Sequence, residues 1–169
     1  ITKMKFYSIE KTMFLDYATK TNLELVKSLF TQDKKDSLFD ILDSCQTAFG
    51  SRLLKNYLEK PLIDKIEIEE RLDATEILVL THYIRIDLAN ELDNISDLER
   101  IVSKIAYHSA NPKDLVALKN SLFYLPRIKS LISALDAKIF KEMYDDFDAL
   151  EDIYNAIDEI IVDDPPFSS

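Results

Sequence analysis

The chain has 169 residues, 47% of them apolar and 31% charged, and is long enough to bury about two-thirds of its unfolded surface. Its single glycine leaves no room for a phosphate-cradling P-loop or a dinucleotide-binding turn, and its single cysteine excludes an intrachain disulfide or a multi-thiolate zinc site. The net charge of −10 lies mostly in residues 134–169, where eleven acidic side chains face two lysines; no window elsewhere carries the basic face by which a protein grips a duplex unaided.

In chain order, Phe6–Ile9 and Met13–Leu15 predict short extended segments. Asp16 then precedes a predicted helix over 17–30, with Leu23, Val26 and Phe30 on one face and Leu25 and Leu29 beside it. Residues 31–37 are a polar loop, and Leu38, Phe39, Ile41 and Leu42 predict a short helix. Thr47 is placed to cap the next helix, and Pro61 to stop it. Leu53, Leu54, Tyr57 and Leu58 form its apolar stripe, which predicts a buried helix. Asp64 with Glu67 opens a further helix running to Leu80, followed by a short one over 81–91.

Ser96-Asp97-Leu98-Glu99 is a Ser-x-x-Glu capping box, with Leu98, Ile101, Val102 and Ile105 on one side. Asn111-Pro112 with Asp114 in the first turn restarts the chain as a helix predicted to end near Pro126. Ile128, Leu131, Ile132 and Leu135 predict a separate helix. Residues 138–146 are short and weakly patterned. Leu150, Ile153, Tyr154, Ile157, Ile160 and Ile161 form a last helix, stopped by Asp163-Asp164-Pro165-Pro166. The sum is an all-α, multihelical fold with at most short strands near the N-terminus.

Chemistry is sparse. His82 and His108 are the only histidines, 26 positions apart and without HExxH spacing, so they read as surface or boundary residues. Cys45 has no nearby base and reads as a small buried residue. Asp145, Asp146, Asp148, Asp163 and Asp164 lack the glycine and bidentate glutamate of a calcium loop, so they read as solvated charge. Arg52 and Arg100 sit in apolar helices, where Glu99 and Asp114 are candidate ion-pair partners. No apolar run approaches 18 residues, so no membrane span is expected. The start at Ile1 has no initiator methionine or signal-peptide core and reads as that of an excised segment.

Three phrases carry a resemblance. The first runs Met13-Phe14-Leu15-Asp16 to Thr19-Lys20-Thr21-Asn22-Leu23-Glu24-Leu25. The second is Gly50-Ser51-Arg52-Leu53-Leu54 through Pro61-Leu62-Ile63-Asp64 to Ile68-Glu69-Glu70-Arg71-Leu72. The third is Asp97-Leu98-Glu99-Arg100-Ile101, then Ala110-Asn111-Pro112-Lys113-Asp114-Leu115 and Leu125-Pro126. In this order and spacing they resemble the core (lever) domain of the MutS family of DNA mismatch-repair proteins, and the ending Ile160–Pro166 resembles the exit towards that family's clamp. The resemblance implies a core segment over residues 1–166, with 167–169 starting the clamp connection. Gly50, Arg52, Leu98, Glu99, Arg100 and Asp114 are then structural signature positions, with no catalytic, cofactor-binding or metal-binding residue.

It also implies a segment without an ATPase domain or cofactor of its own, in a cytoplasmic parent protein that uses ATP and Mg. Its partners would be the connector, clamp and ATPase domains of the same protein, with mismatched duplex DNA, MutL and a second copy bound by the parent, and no membrane. The competing reading of the residues is a stand-alone helical protein-interaction module with an acidic C-terminal segment.

Overall fold

The computed structural model describes residues 11–162 and places nine helices among them. These are α1 Tyr17–Asn22, α2 Leu38–Leu42, α3 Ala48–Glu59, α4 Lys65–Leu80, α5 His82–Asp93, α6 Leu98–Ala106, α7 Pro112–Ser133, α8 Lys138–Asp146 and α9 Glu151–Ile160. The fold is all-α, as expected. Among the described residues no strand forms; the extended Met13 segment contributes one isolated antiparallel bridge, Thr12 with Leu62. Phe6–Ile9 lies outside the described residues. The chain divides into two compact units: residues up to Cys45 together with Gly50–Arg71, and Gln46–Phe49 together with the chain from Leu72 onward.

In the first unit the helix predicted over 17–30 stops at Asn22. Glu24 takes a left-handed conformation (φ 47°), and its carboxylate accepts from the Ser28 hydroxyl and the Leu29 amide. Polar side chains thus satisfy the backbone locally and compete with the helix, which periodicity alone does not register. Leu25 is buried, whereas Leu23 and Phe30 of the predicted face are exposed. Ser37, fully buried, caps α2 by accepting from the Asp40 amide and donates to the Lys34 carbonyl at 2.6 Å.

Helix α3 begins directly after Thr47 and ends two residues before Pro61, but it is not the buried helix its stripe predicts. None of its residues is buried, and Leu53 is 49% exposed. Tyr57 offers its ring face to the Arg71 guanidinium at 3.7 Å instead of entering a core. Asp64 caps α4 by accepting from the Ile66 and Glu67 amides at 2.9 and 3.1 Å. Glu67 does not close the box: its carboxylate pairs with Lys11 at 2.6 Å.

In the second unit Ile84, Leu88, Ile128, Leu131, Leu135 and Phe140 lead the buried core. Helix α7 organises it, packing with α5, α6, α8 and α9. Its 22 residues run straight through Pro126, so the two helices predicted on either side of that proline are one. An interior proline costs about 3 kcal/mol through its missing amide and ring clash. Leu122, Ile128, Leu131 and Ile132, on both sides of it, are each less than 10% exposed. At roughly 1.5–3 kcal/mol per buried side chain, keeping them buried along one continuous helix outweighs that cost.

Helix α6 starts one residue later than its sequence box suggests. Asp97, not Ser96, accepts from the Arg100 amide, because the Ser96 amide is already committed to the Ser121 hydroxyl at 3.0 Å. Weakly patterned residues 138–146 do form α8, anchored by buried Phe140. Helix α9 follows Leu150, a left-handed residue at φ 54°. The stop predicted at Asp163–Pro166 lies outside the described residues.

Candidate functional site

Of the six signature positions, Asp114 lies where α6 turns into α7, and Leu98, Glu99 and Arg100 lie in the first turn of α6. The Asn111 side chain accepts from the Asp114 amide at 2.9 Å, and the Asp114 carboxylate accepts from the Asn111 amide at 3.0 Å. Asn111 thus caps α7 as its sequence predicts, with Pro112 at the start of the helix, and the Asp114 side chain makes the cap a reciprocal box. The second carboxylate oxygen of Asp114 takes the Lys104 ammonium at 2.6 Å. Asp114 therefore ties the end of α6 to the start of α7.

The Asn111 amide, then the Lys104 ammonium, with the Arg100 charge behind them, hold the Asp114 carboxyl below its ordinary pKa. The direct ion-pair partner of Asp114 is Lys104, while Arg100, proposed from sequence, acts on it only through its charge. Leu98 is half-buried against the core, and Glu99 is exposed with its carbonyl accepting from the Ser103 hydroxyl at 2.7 Å. Gly50 and Arg52 belong to the first unit, in the opening turns of α3. Gly50 carries no positive φ; all five left-handed positions among the described residues belong to other residue types.

Two polar anchors escaped the sequence reading. Ser121, fully buried on α7, accepts from the Ser96 amide and donates to the Ala117 carbonyl at 2.8 Å. Ser121→Ala is expected to lower stability by about 1 kcal/mol, read by urea denaturation, since it leaves the Ser96 amide without this acceptor. Lys119, with its side chain only 6% exposed, reaches Asp158 of α9 at 3.0 Å. The signal was present: Lys119 lies four residues after Leu115 and three before Leu122, inside the apolar stripe.

Cys45 is exposed, which corrects its reading as a small buried residue. It lies beside Asp43, whose carboxylate accepts from the Ser51 hydroxyl at 2.7 Å. Partial burial of the thiol, then Asp43, push its pKa up, so the reactive thiolate is scarce. Asp43→Asn is expected to speed iodoacetamide alkylation of Cys45 several-fold at pH 8, measured by mass spectrometry. His82 and His108 are both exposed. Among the described residues no group of three or more His, Cys, Asp or Glu side chains is arranged to hold a metal ion. No helix among them is long and apolar enough to cross a membrane.

Fold and site together define an all-α multihelical chain whose second unit is assembled on one long helix, with charged side chains bracing it. The family described as MutS domain III matches residues 18–169. The DNA mismatch repair protein MutS of Caldicellulosiruptor saccharolyticus is 45% identical over 166 residues, covering 98% of this chain and 19% of that protein. The protein of the same name from Clostridioides difficile is 46% identical over 165 residues, covering 98% of this chain and 17% of its own length. That of Clostridium tetani is 42% identical over 164 residues, covering 97% of this chain and 19% of its own length. The chain belongs to the MutS domain III family, and it spans about a fifth of the length of the curated relatives it matches.

Proposed function

We propose that this chain is the mechanical core segment of a DNA mismatch-repair protein, without catalysis of its own. It links the connector, clamp and ATPase domains of its parent and relays nucleotide state to the grip on DNA. On this reading ATP and Mg are held elsewhere in a cytoplasmic parent, which binds mismatched duplex and MutL and works as a dimer of identical copies. The core extends to about Pro166, where the chain leaves for the clamp. Gly50, Arg52, Leu98, Glu99, Arg100 and Asp114 serve architecture and not chemistry.

The observation that carries this reading is α7: one 22-residue helix with α5, α6, α8 and α9 packed along it. It is about 33 Å long at 1.5 Å per residue. A packed rod of that length transmits displacement as a body, because close-packed interiors shift between discrete arrangements and do not deform smoothly. The test softens the rod without touching the core. Asn120 and Ser130 are exposed on α7, and changing both to glycine loosens the helix by roughly a few tenths of a kcal/mol each. In the full-length parent this double variant is expected to keep nucleotide-free mismatch affinity within a few-fold and to slow ATP-triggered release from DNA. Release at the unaltered rate overturns the relay, and ATP turnover by the purified 169-residue chain overturns the absence of catalysis.

A further inference from the structure

Helix α7 carries different partners on the two sides of Pro126. Before the proline, Asp114 takes Lys104 of α6 at 2.6 Å, and Lys119 reaches Asp158 of α9 at 3.0 Å. Phe123 also meets the Tyr154 ring of α9, centroids 6.3 Å apart. After the proline, Arg127 faces Asp87 and Glu91 of α5 at 3.8 and 4.0 Å. The Lys129 ammonium donates to the Phe147 carbonyl, just past α8, at 2.6 Å. The buried core divides at the same place. Ile128, Leu131 and Ile132 join the cluster with Ile84 and Leu88 of α5 and Phe140 of α8, whereas Leu122, 2% exposed, lies outside it. Half-buried Leu98, Tyr124 and Leu125 form the seam against that cluster. The main packing of α5, α6, α8 and α9 is in each case with α7 and not with one another.

The second unit therefore has two halves, and the chain passes between them three times. Two passages are loops: residues 94–97 lead from α5 into α6, and residues 147–150 from α8 into α9. The third is α7 itself, and there the proline stands. An interior proline has no amide for the carbonyl four residues earlier, here that of Leu122, and its ring crowds that carbonyl. Sharp helix bends concentrate at such residues. Bending α7 at this step sacrifices no bond from residue 126, since that bond cannot form, and repacks neither half internally.

We propose that Pro126 is a hinge within the second unit. About it α6, α9 and the part of α7 before the proline swing as one body against α5, α8 and the part after it. The inference refines the relay reading above but does not rest on it, because the bend belongs to this chain alone. Each half of α7 still moves as a packed body, and the change of angle is confined to one step. The seam residues Leu98, Tyr124 and Leu125 slide over the cluster as the angle changes.

Paired spin labels on the whole 169-residue chain, in a Cys45→Ser background, test this by pulsed electron–electron distance measurement. Ser103→Cys on α6 with Glu142→Cys on α8 spans the hinge. Ser103→Cys with Asn155→Cys on α9, and Asn90→Cys on α5 with Glu142→Cys, each report within one half. The spanning pair is expected to give a distance distribution about twofold wider than either internal pair. Pro126→Ala, which restores the missing amide, is expected to narrow it to their width and to leave the internal pairs unchanged. Its helical circular dichroism is expected to match or exceed that of the unaltered chain. A spanning distribution as narrow as the internal ones, or one that Pro126→Ala leaves wide, overturns the proposal. A fall in helicity with Pro126→Ala overturns it too, since the proline would then be a fixed part of the packing.

Discussion

Ile128→Ala is expected to cost about 3 kcal/mol of folding stability, the largest effect of any single truncation proposed for this chain. Ile128 is 4% exposed and lies in the core cluster with Ile84, Leu88, Leu131 and Leu135. Removing three carbons there forfeits their transfer free energy and leaves a void that neighbouring helices refill only in part. The better helix propensity of alanine returns only a few tenths of a kcal/mol. In urea the midpoint should fall with little change in slope, and in a thermal melt Tm should drop by about 6–12 °C. A loss below 1 kcal/mol would mean that α7 is not the element on which the second unit is assembled.

Asp114→Ala ranks second, at about 2 kcal/mol. The carboxylate satisfies the Asn111 amide and the Lys104 ammonium together, and its side chain is only 14% exposed. Asp114→Asn should cost less, because its carbonyl oxygen still accepts from the Asn111 amide and only the charge is lost. The same pair gives a pH signature. The folded state holds the Asp114 pKa below its unfolded value. Its contribution is therefore complete above the unfolded value of about 3.9 and disappears as pH falls through the depressed one. The stability gap between the unaltered chain and Asp114→Asn should be constant from about pH 7 to 5 and shrink as pH falls below the unfolded value. A gap that persists at low pH would place the role of Asp114 in shape and not in charge.

How much of this was legible depends on how local the responsible interaction is. The Asn111 cap was readable because donor and acceptor lie within three positions of each other, and the structure has it, with the return bond to Asp114 added. Ser96 to Glu99 matched the same pattern and shifted by one residue, because Ser121, 25 positions away, had claimed the Ser96 amide. The break expected at Pro126 failed for a related reason. A proline reports its local cost faithfully, and only the burial of Leu122, Ile128, Leu131 and Ile132 shows that the cost is outweighed. The α3 stripe erred the other way: Leu53 and Tyr57 have helical spacing, but spacing does not say whether a core exists on that side.

Of the candidate site, Leu98, Glu99, Arg100 and Asp114 were legible as a phrase, whereas Lys104, the residue that pairs with Asp114, was not. Ten positions separate the two, across a turn between helices, and no periodicity spans such a corner. Lys119 was visible as a charge in an apolar stripe, but its partner Asp158 is 39 residues away on another helix.

The amino-acid sequence by itself determined that the chain is helical, that it lacks glycine-built phosphate loops, and where caps such as Asp64 and Asn111 open helices. These follow from backbone sterics and from hydrogen bonds between near neighbours, which composition and short spacing encode. Only the tertiary structure decided that α7 is one rod and not two helices, that α3 stays on the surface, that Cys45 is exposed, and that Lys104 and Lys119 are the cations bracing α7. Each of these is settled by what lies across the fold from the residue. Burial and ion pairing there carry energies as large as the local preferences they override.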